Sequence, residues 1–299
     1  MGDFGAFRGF SEKLTQGETP TKLGNDTQIF SNVFDTPYFA YSLRRVVQNY
    51  SGSCIRVRRS NDNAEQDIGF VNDYLDTASL LSFVGANNGL VTTWYEQCGN
   101  GNMTQTSATA QPEIVLSGAL YYLGQNPTMR FSTKWFQYQP TPTVNMRDVM
   151  FVEVANVYSA SNFGRLFTRS NGATVESSLT GNLTRQKDTT SYGARNAPMS
   201  IGIVGSRGFS MPFLDHSPKI IVTGTTRENT LYCHINNDYR TIPVTTTSVA
   251  YNRFAIADGI NTAGDNMNAD ISEVIIYNKD YYSQIEAIKN NVNSYYGIY

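Results

Sequence analysis

An all-β sandwich with a few short helices is the fold this 299-residue sequence predicts, and three observations predict it. The chain holds 30 Thr, 28 Asn, 19 Tyr and 24 Gly; Thr and Tyr suit strands, whereas Asn and Gly suit the turns between them. Short apolar segments recur along the chain, and the stretches between them are rich in Gly, Asn, Thr and Pro. Helical spacing is confined to a few brief segments, which leaves a sandwich as the architecture able to bury the strands.

Composition excludes several classes. Hydrophobic residues make up 40% of the chain and the net charge is only −2, which does not fit a disordered chain. No basic excess exists to bind nucleic acid by counterion release. No apolar run approaches the ~20 residues of a membrane-spanning helix, so no membrane insertion is expected. The first residues, Met1 to Arg8, lack the charged start and apolar stretch of a secretion signal, so synthesis and folding in a cytosol are expected. Cys54, Cys98 and Cys233 are odd in number and widely spaced, which predicts buried free thiols rather than a disulfide framework or metal knuckle.

The elements follow in order. Residues 1–37 carry scattered Phe without sustained period and predict an attachment or oligomerisation segment that lies against its own domain, a neighbouring copy or a scaffold. Residues 38–299 read as one domain. Leu43, Val46, Val47 and Tyr50 have helical spacing, closed by Ser51-Gly52. Ile55 and Val57 alternate with Arg56, Arg58 and Arg59 as in a half-buried strand. Asp76 caps a helix carrying Leu80, Leu81 and Val84, ended at Gly85. Strands are then expected at 90–97, 114–116, 129–137, 149–158, 165–169, 199–204, 219–225, 231–236 and 239–244. A last strand carries Ile271, Val274 and Ile276. Ser283 and Glu286 form a capping box for a closing helix with Ile285, Ile288, Val292 and Tyr295, expected across one end of the sandwich.

Two stretches carry a family resemblance. The first runs through Ala40-Tyr41-Ser42-Leu43-Arg44-Arg45 and Ile55-Arg56-Val57-Arg58-Arg59-Ser60-Asn61-Asp62-Asn63. It continues through Gln66-Asp67-Ile68-Gly69-Phe70 and Asp76-Thr77-Ala78-Ser79-Leu80-Leu81, and ends at Val91-Thr92-Thr93-Trp94-Tyr95-Glu96-Gln97-Cys98-Gly99-Asn100-Gly101-Asn102. It resembles the N-terminal part of the catalytic domain of fungal-type arabinofuranosidase B, and more closely the modules of that kind in virion proteins of tailed bacteriophages. The second, Ile271-Ser272-Glu273-Val274-Ile275-Ile276-Tyr277-Asn278 with the helix after it, resembles the close of laminin-G-like domains. Both resemblances imply a concanavalin-A-like jelly-roll β-sandwich.

The resemblance to a retaining glycosidase implies two carboxylates, a nucleophile and an acid/base, about 5 Å apart. Were the chain an enzyme, Glu176 would be the nucleophile and Asp265, in Gly264-Asp265-Asn266, the acid/base. Thr174 stands where the family has an acidic residue two positions before the Glu, and the family's vicinal cysteine pair has no equivalent. The expectation is therefore no catalysis, with Glu176 a solvated strand residue and Asp265 a turn residue. The resemblance to virion modules implies a phage structural protein: a head fibre, capsid decoration or tail-associated protein, made in the host cytoplasm and located in the virion. It would touch other virion proteins through residues 1–37, form a homo-oligomer and bind a host-surface glycan for attachment.

Trp94, Tyr95 and Trp135 are the residues that could stack on sugar rings, although adjacent Trp94 and Tyr95 cannot face the same side of a strand. No cofactor is expected. Ca²⁺ is possible at Asn266, Asn268 and Asp270, which alternate in one loop but lack the Gly and distant Glu of a helix-loop-helix calcium site. His216 and His234 are too far apart in sequence to argue a metal or a triad, and His234 reads as a surface or hydrogen-bonded residue. Gly99-Asn100-Gly101-Asn102 lacks the Lys-Ser/Thr of a phosphate loop. The cluster of Arg44, Arg45, Arg56, Arg58 and Arg59 reads as a solvated face paired with Asp62, Glu65 and Asp67 rather than a phosphate site.

Overall fold

The computed structural model describes residues 34–160, 166–170, 217–243, 248–258 and 267–299. Most of its strands form one long antiparallel sheet that folds over on itself into two layers, beside three two-stranded ribbons. One layer runs Phe39–Ser42, Met267–Tyr277, Met150–Ala160, Lys219–Thr225, Thr230–Ile235 and Asp238–Pro243. The other centres on Ile55–Arg59, Gly89–Trp94, Glu113–Leu116, Phe136–Tyr138, Arg253–Ile256 and Phe167–Ser170. Ring contacts between the layers mark the shared core: Phe39 lies 5.2 Å from Phe254 and Phe151 5.5 Å from Phe167.

The central strands of the first layer are buried on both faces. Along Met150–Ala160, Phe151, Ala155 and Val157 face the sandwich interior, whereas Met150, Val152 and Val154 face outward. The outward set is covered by the C-terminal helix, Ile285–Tyr296, through Ile288 and Val292. This helix packs on the outer face of the layer, not across an end of the sandwich, because its apolar stripe answers that of the sheet. Met267–Tyr277 and Lys219–Thr225 are likewise buried along nearly their whole length, so the polar residues within them, Asp270 and Glu273 among them, must find partners inside the fold.

The same double burial corrects the helix expected near residue 43. Phe39–Ser42 is a strand paired with Ile276 to Glu273, and Leu43 N continues the pairing to Ser272 O at 3.2 Å. Leu43 then enters the interior core and Val46 the outer one, so apolar spacing here reflects two buried faces rather than a helical stripe. The single strand expected over 129–137 is two. Met129–Phe131 pairs with residues 269–271 of the first layer and Phe136–Tyr138 with Arg253–Ile256 of the second. The chain changes layer between them, with Thr133 at φ +55°.

Other expectations hold. Asp76 caps the Thr77–Val84 helix by accepting from Ser79 N at 2.9 Å, and Gly85 ends it at φ +60°. Lys219–Thr225, Thr230–Ile235 and Asp238–Pro243 fall where sequence placed strands; the strand expected at 199–204 lies outside the described residues. The capping box does not form. Ser283 sits within a 3₁₀ turn, Tyr282–Gln284, that displaces the helix start to Ile285, and Glu286 instead accepts from Lys289 Nζ at 2.9 Å. Of residues 1–37 only the last four are described. Phe34 is buried on the outer face of the first layer, Asp35 N donates to Tyr281 Oη at 2.9 Å, and Asp35 pairs with Lys279.

Candidate functional site

Trp94, Tyr95 and Trp135 do not form one platform. Trp94 is fully buried between Tyr41 and Phe136, with ring centroids at 6.0 and 6.4 Å, so it cannot meet a ligand at the surface. The alternation of the strand decides this: Trp94 points into the core, and Tyr95 points out. Tyr95 is half-buried, and its hydroxyl donates to Asp67 at 2.8 Å. Trp135 is half-buried beside Lys134, whose Nζ donates to Thr109 O at 2.5 Å.

The start of the closing strand carries a polar cluster that sequence reading reached only in part. Asp270, buried, accepts from Arg130 Nε and Nη2, both at 2.8 Å, and from the hydroxyl of Tyr158. The guanidinium lies 4.3 Å from the centre of the Tyr121 ring and 5.1 Å from that of Tyr158. Burial, reinforced by the bond to Asp270, pushes the Tyr158 hydroxyl up to about 12. Asn268 Oδ1 accepts from Thr133 N at 3.2 Å. These commitments do not fit a calcium site, because Asp270 is held in a bidentate ion pair and Asn268 bonds a backbone amide. Asn266 lies outside the described residues, and among the described residues no group of three acidic, His or Cys side chains could hold a metal.

Two further buried charged residues, Arg169 and Glu153, were flagged by no motif. Arg169 is fully buried, with its guanidinium 4.6 Å from the Tyr251 ring centre and 5.4 Å from that of Phe151, and burial lowers its pKa. Glu153 is buried one strand position beyond Val152. The only sequence signal for either was a charged residue at an inward-facing strand position. Glu176, Asp265 and His216 lie outside the described residues.

The remaining sequence candidates have structural partners. Glu96, buried, accepts from three backbone amides, Ala40 at 2.6 Å, Cys98 at 2.8 Å and Asn100 at 2.7 Å. The Gly99–Asn102 loop thus encloses a carboxylate of its own chain. Arg56 pairs with Glu65 and Asp67, and Arg59 with Asp62, as a solvated face should; Arg45 pairs with Asp73. Arg44 differs, being buried against Glu273. Cys54 and Cys233 are buried free thiols, and Cys98 is half-buried. His234 is buried in an aromatic cluster with Tyr232, Tyr239 and Tyr282.

This fold has counterparts among solved structures. A mutant GH54 α-L-arabinofuranosidase soaked with 4-nitrophenyl α-L-arabinofuranoside superposes with a TM-score of 0.63 at 12% identity, over 90% of this chain and 65% of that one. The chain shares its β-sandwich. A GH54 enzyme soaked with a cyclic sulfate inhibitor gives 0.58 at 12% identity over 90% and 65%. An arabinofuranosidase complexed with arabinofuranosyl-α-1,2-xylobiose gives 0.57 at 14% over 90% and 64%. The chain therefore spans slightly less than two thirds of the length of these enzymes. No protein-family model matches the sequence, and no curated protein matches it.

Proposed function

We propose that this chain is a phage virion structural protein whose sandwich binds host-surface glycan without cleaving it. The observation that supports the carbohydrate-binding part of this reading is the sandwich shared with three arabinofuranosidases over 90% of the chain, whereas the virion part rests on the resemblance of residues 40–102 alone. Those proteins act on or bind arabinofuranosyl sugars, and residues 40–102 resemble their virion-borne relatives. Residues 1–37 would join other virion proteins, and a homo-oligomer would multiply weak single-site affinity. Thr174, in place of an acidic residue before Glu176, supports binding over hydrolysis. Immunogold labelling of purified particles should place the chain on the virion, and binding to host polysaccharide should occur without release of reducing ends. Unlabelled particles would overturn the virion role.

A second reading follows from the same neighbours, which are glycoside hydrolases. Here Glu176 acts as nucleophile and Asp265 as acid/base. Release of nitrophenol from 4-nitrophenyl α-L-arabinofuranoside, abolished by Glu176→Gln, would establish it. An inactive wild-type protein would remove it.

A further inference from the structure

Beyond the margin of the C-terminal helix, the outer sheet face carries an aromatic group that no sequence motif announced. His234 and Tyr239 are directly paired across neighbouring strands, and their rings stack at 5.4 Å with planes 19° apart. Tyr282, from the 3₁₀ turn before the helix, stands edge-on to Tyr232 at 4.9 Å and to His234 at 6.4 Å. Tyr232 and His234 form a buried floor, whereas Tyr239 is 58% and Tyr282 39% exposed. The arrangement is preorganised. Asp280 accepts from Tyr282 N at 3.2 Å and from Arg227 N at 2.9 Å, tying the 3₁₀ turn to the Thr226–Thr230 turn.

Polar groups border the rings. The Glu286 side chain, 71% exposed, lies 3.8 Å from His234 Nδ1 and is held by the buried Lys289. Among the described residues, His234 Nε2 and Tyr232 Oη make no hydrogen bond and lie beneath the exposed rings.

We propose that Tyr239 and Tyr282, with Glu286 as hydrogen-bond acceptor, form a surface subsite for a single sugar ring. The inference rests on the glycan-binding reading and gives it a location. A sugar presents an apolar C–H face for an aromatic ring and hydroxyls for a carboxylate, which is the combination present. Two exposed rings offer far less than the ~800 Å² per partner of a standard protein interface. The buried Lys289 is already committed to Glu286 and is not offered to the phosphates of a nucleic acid. The occupant that fits is therefore a small neutral amphipathic ring.

The test is a printed array of pentose-, hexose- and deoxyhexose-containing oligosaccharides, followed by titration of the best-bound glycan into wild-type, Tyr239→Ala, Tyr282→Ala and Tyr239→Phe proteins. The alanine variants should each weaken binding by about tenfold or more, and Tyr239→Phe should bind within about twofold, because a stacking face needs no hydroxyl. Both aromatic positions are at the surface, and thermal melting verifies that the variants are folded. Wild-type binding that survives both alanine substitutions overturns this subsite and leaves the glycan-binding reading standing. A wild-type protein that binds nothing on the array overturns both.

Discussion

Arg44 and Glu273, 229 positions apart in the chain, form a buried bidentate ion pair, with Nε to Oε2 at 2.8 Å and Nη2 to Oε1 at 3.0 Å. Ser42 Oγ donates to the same carboxylate at 2.7 Å, and the guanidinium lies 4.7 Å from the centre of the Tyr295 ring. The pair joins the end of the first strand, the closing strand and the C-terminal helix at one point. Removing one partner leaves a buried charge without compensation. Glu273→Gln should cost about 3–5 kcal/mol in urea unfolding. Arg44→Met combined with Glu273→Leu should cost less than the sum of the single changes, since both desolvation penalties then vanish. Additive losses would show that the pair does not act as a unit.

The pH dependence of stability should carry the mark of His234. Burial lowers its pKa first, the Lys289 ammonium lowers it further, and Glu286 opposes them. The native state thus resists a proton that the unfolded chain accepts. Stability from this group is complete above the ordinary value of 6.5 and is lost as pH falls from there toward the folded pKa. His234→Phe should flatten the unfolding free energy over that window. A wild-type protein that gains stability on acidification there, relative to the variant, would contradict the assignment.

Gly101 is required by its neighbour. Its φ is +137°, and a Cβ added there would lie 2.0 Å from Cζ of Tyr138, whose hydroxyl donates to Asn100 O at 2.6 Å. Gly101→Ala should destabilise by about 1–3 kcal/mol through strain and overlap together. In a Tyr138→Ala background the same change should cost less, because only the backbone term remains. Equal costs in both backgrounds, measured by thermal melting, would assign the whole effect to the backbone.

At the Thr77–Val84 helix, Asp76 accepts from both Ser79 N and Ser79 Oγ, and these bonds hold its pKa below the usual carboxylate value. Asp76→Ala should cost about 1 kcal/mol. Asp76→Asn should cost less, because an amide oxygen still caps the helix. Hydrogen exchange at the helix amides reads both effects.

Legibility followed the range of the interaction. The Asp76 cap, the Ile55–Arg59 strand and the run of strands from Lys219 to Pro243 were readable because alternation, capping and turn chemistry are local. The helical spacing around Leu43 misled, because the segment buries residues in two cores at once. Trp94 and Tyr95 were known to face opposite sides, but which one was buried depended on the layer packed against them. Asp270 looked like a possible ligand until Arg130, 140 residues away, occupied it.

By itself the sequence determined the class: a sandwich of short strands, closed by one strand and one helix, with an arginine-rich strand in which Arg56 and Arg59 are paired with acidic residues nearby. Those features depend on periodicity and near neighbours, which the order of residues states directly. The tertiary structure decided which strand has both faces covered, which carboxylates are already occupied, and that His234, Tyr239 and Tyr282 meet. Such meetings depend on strand register and layer packing, where a shift of one residue turns every side chain to the opposite face.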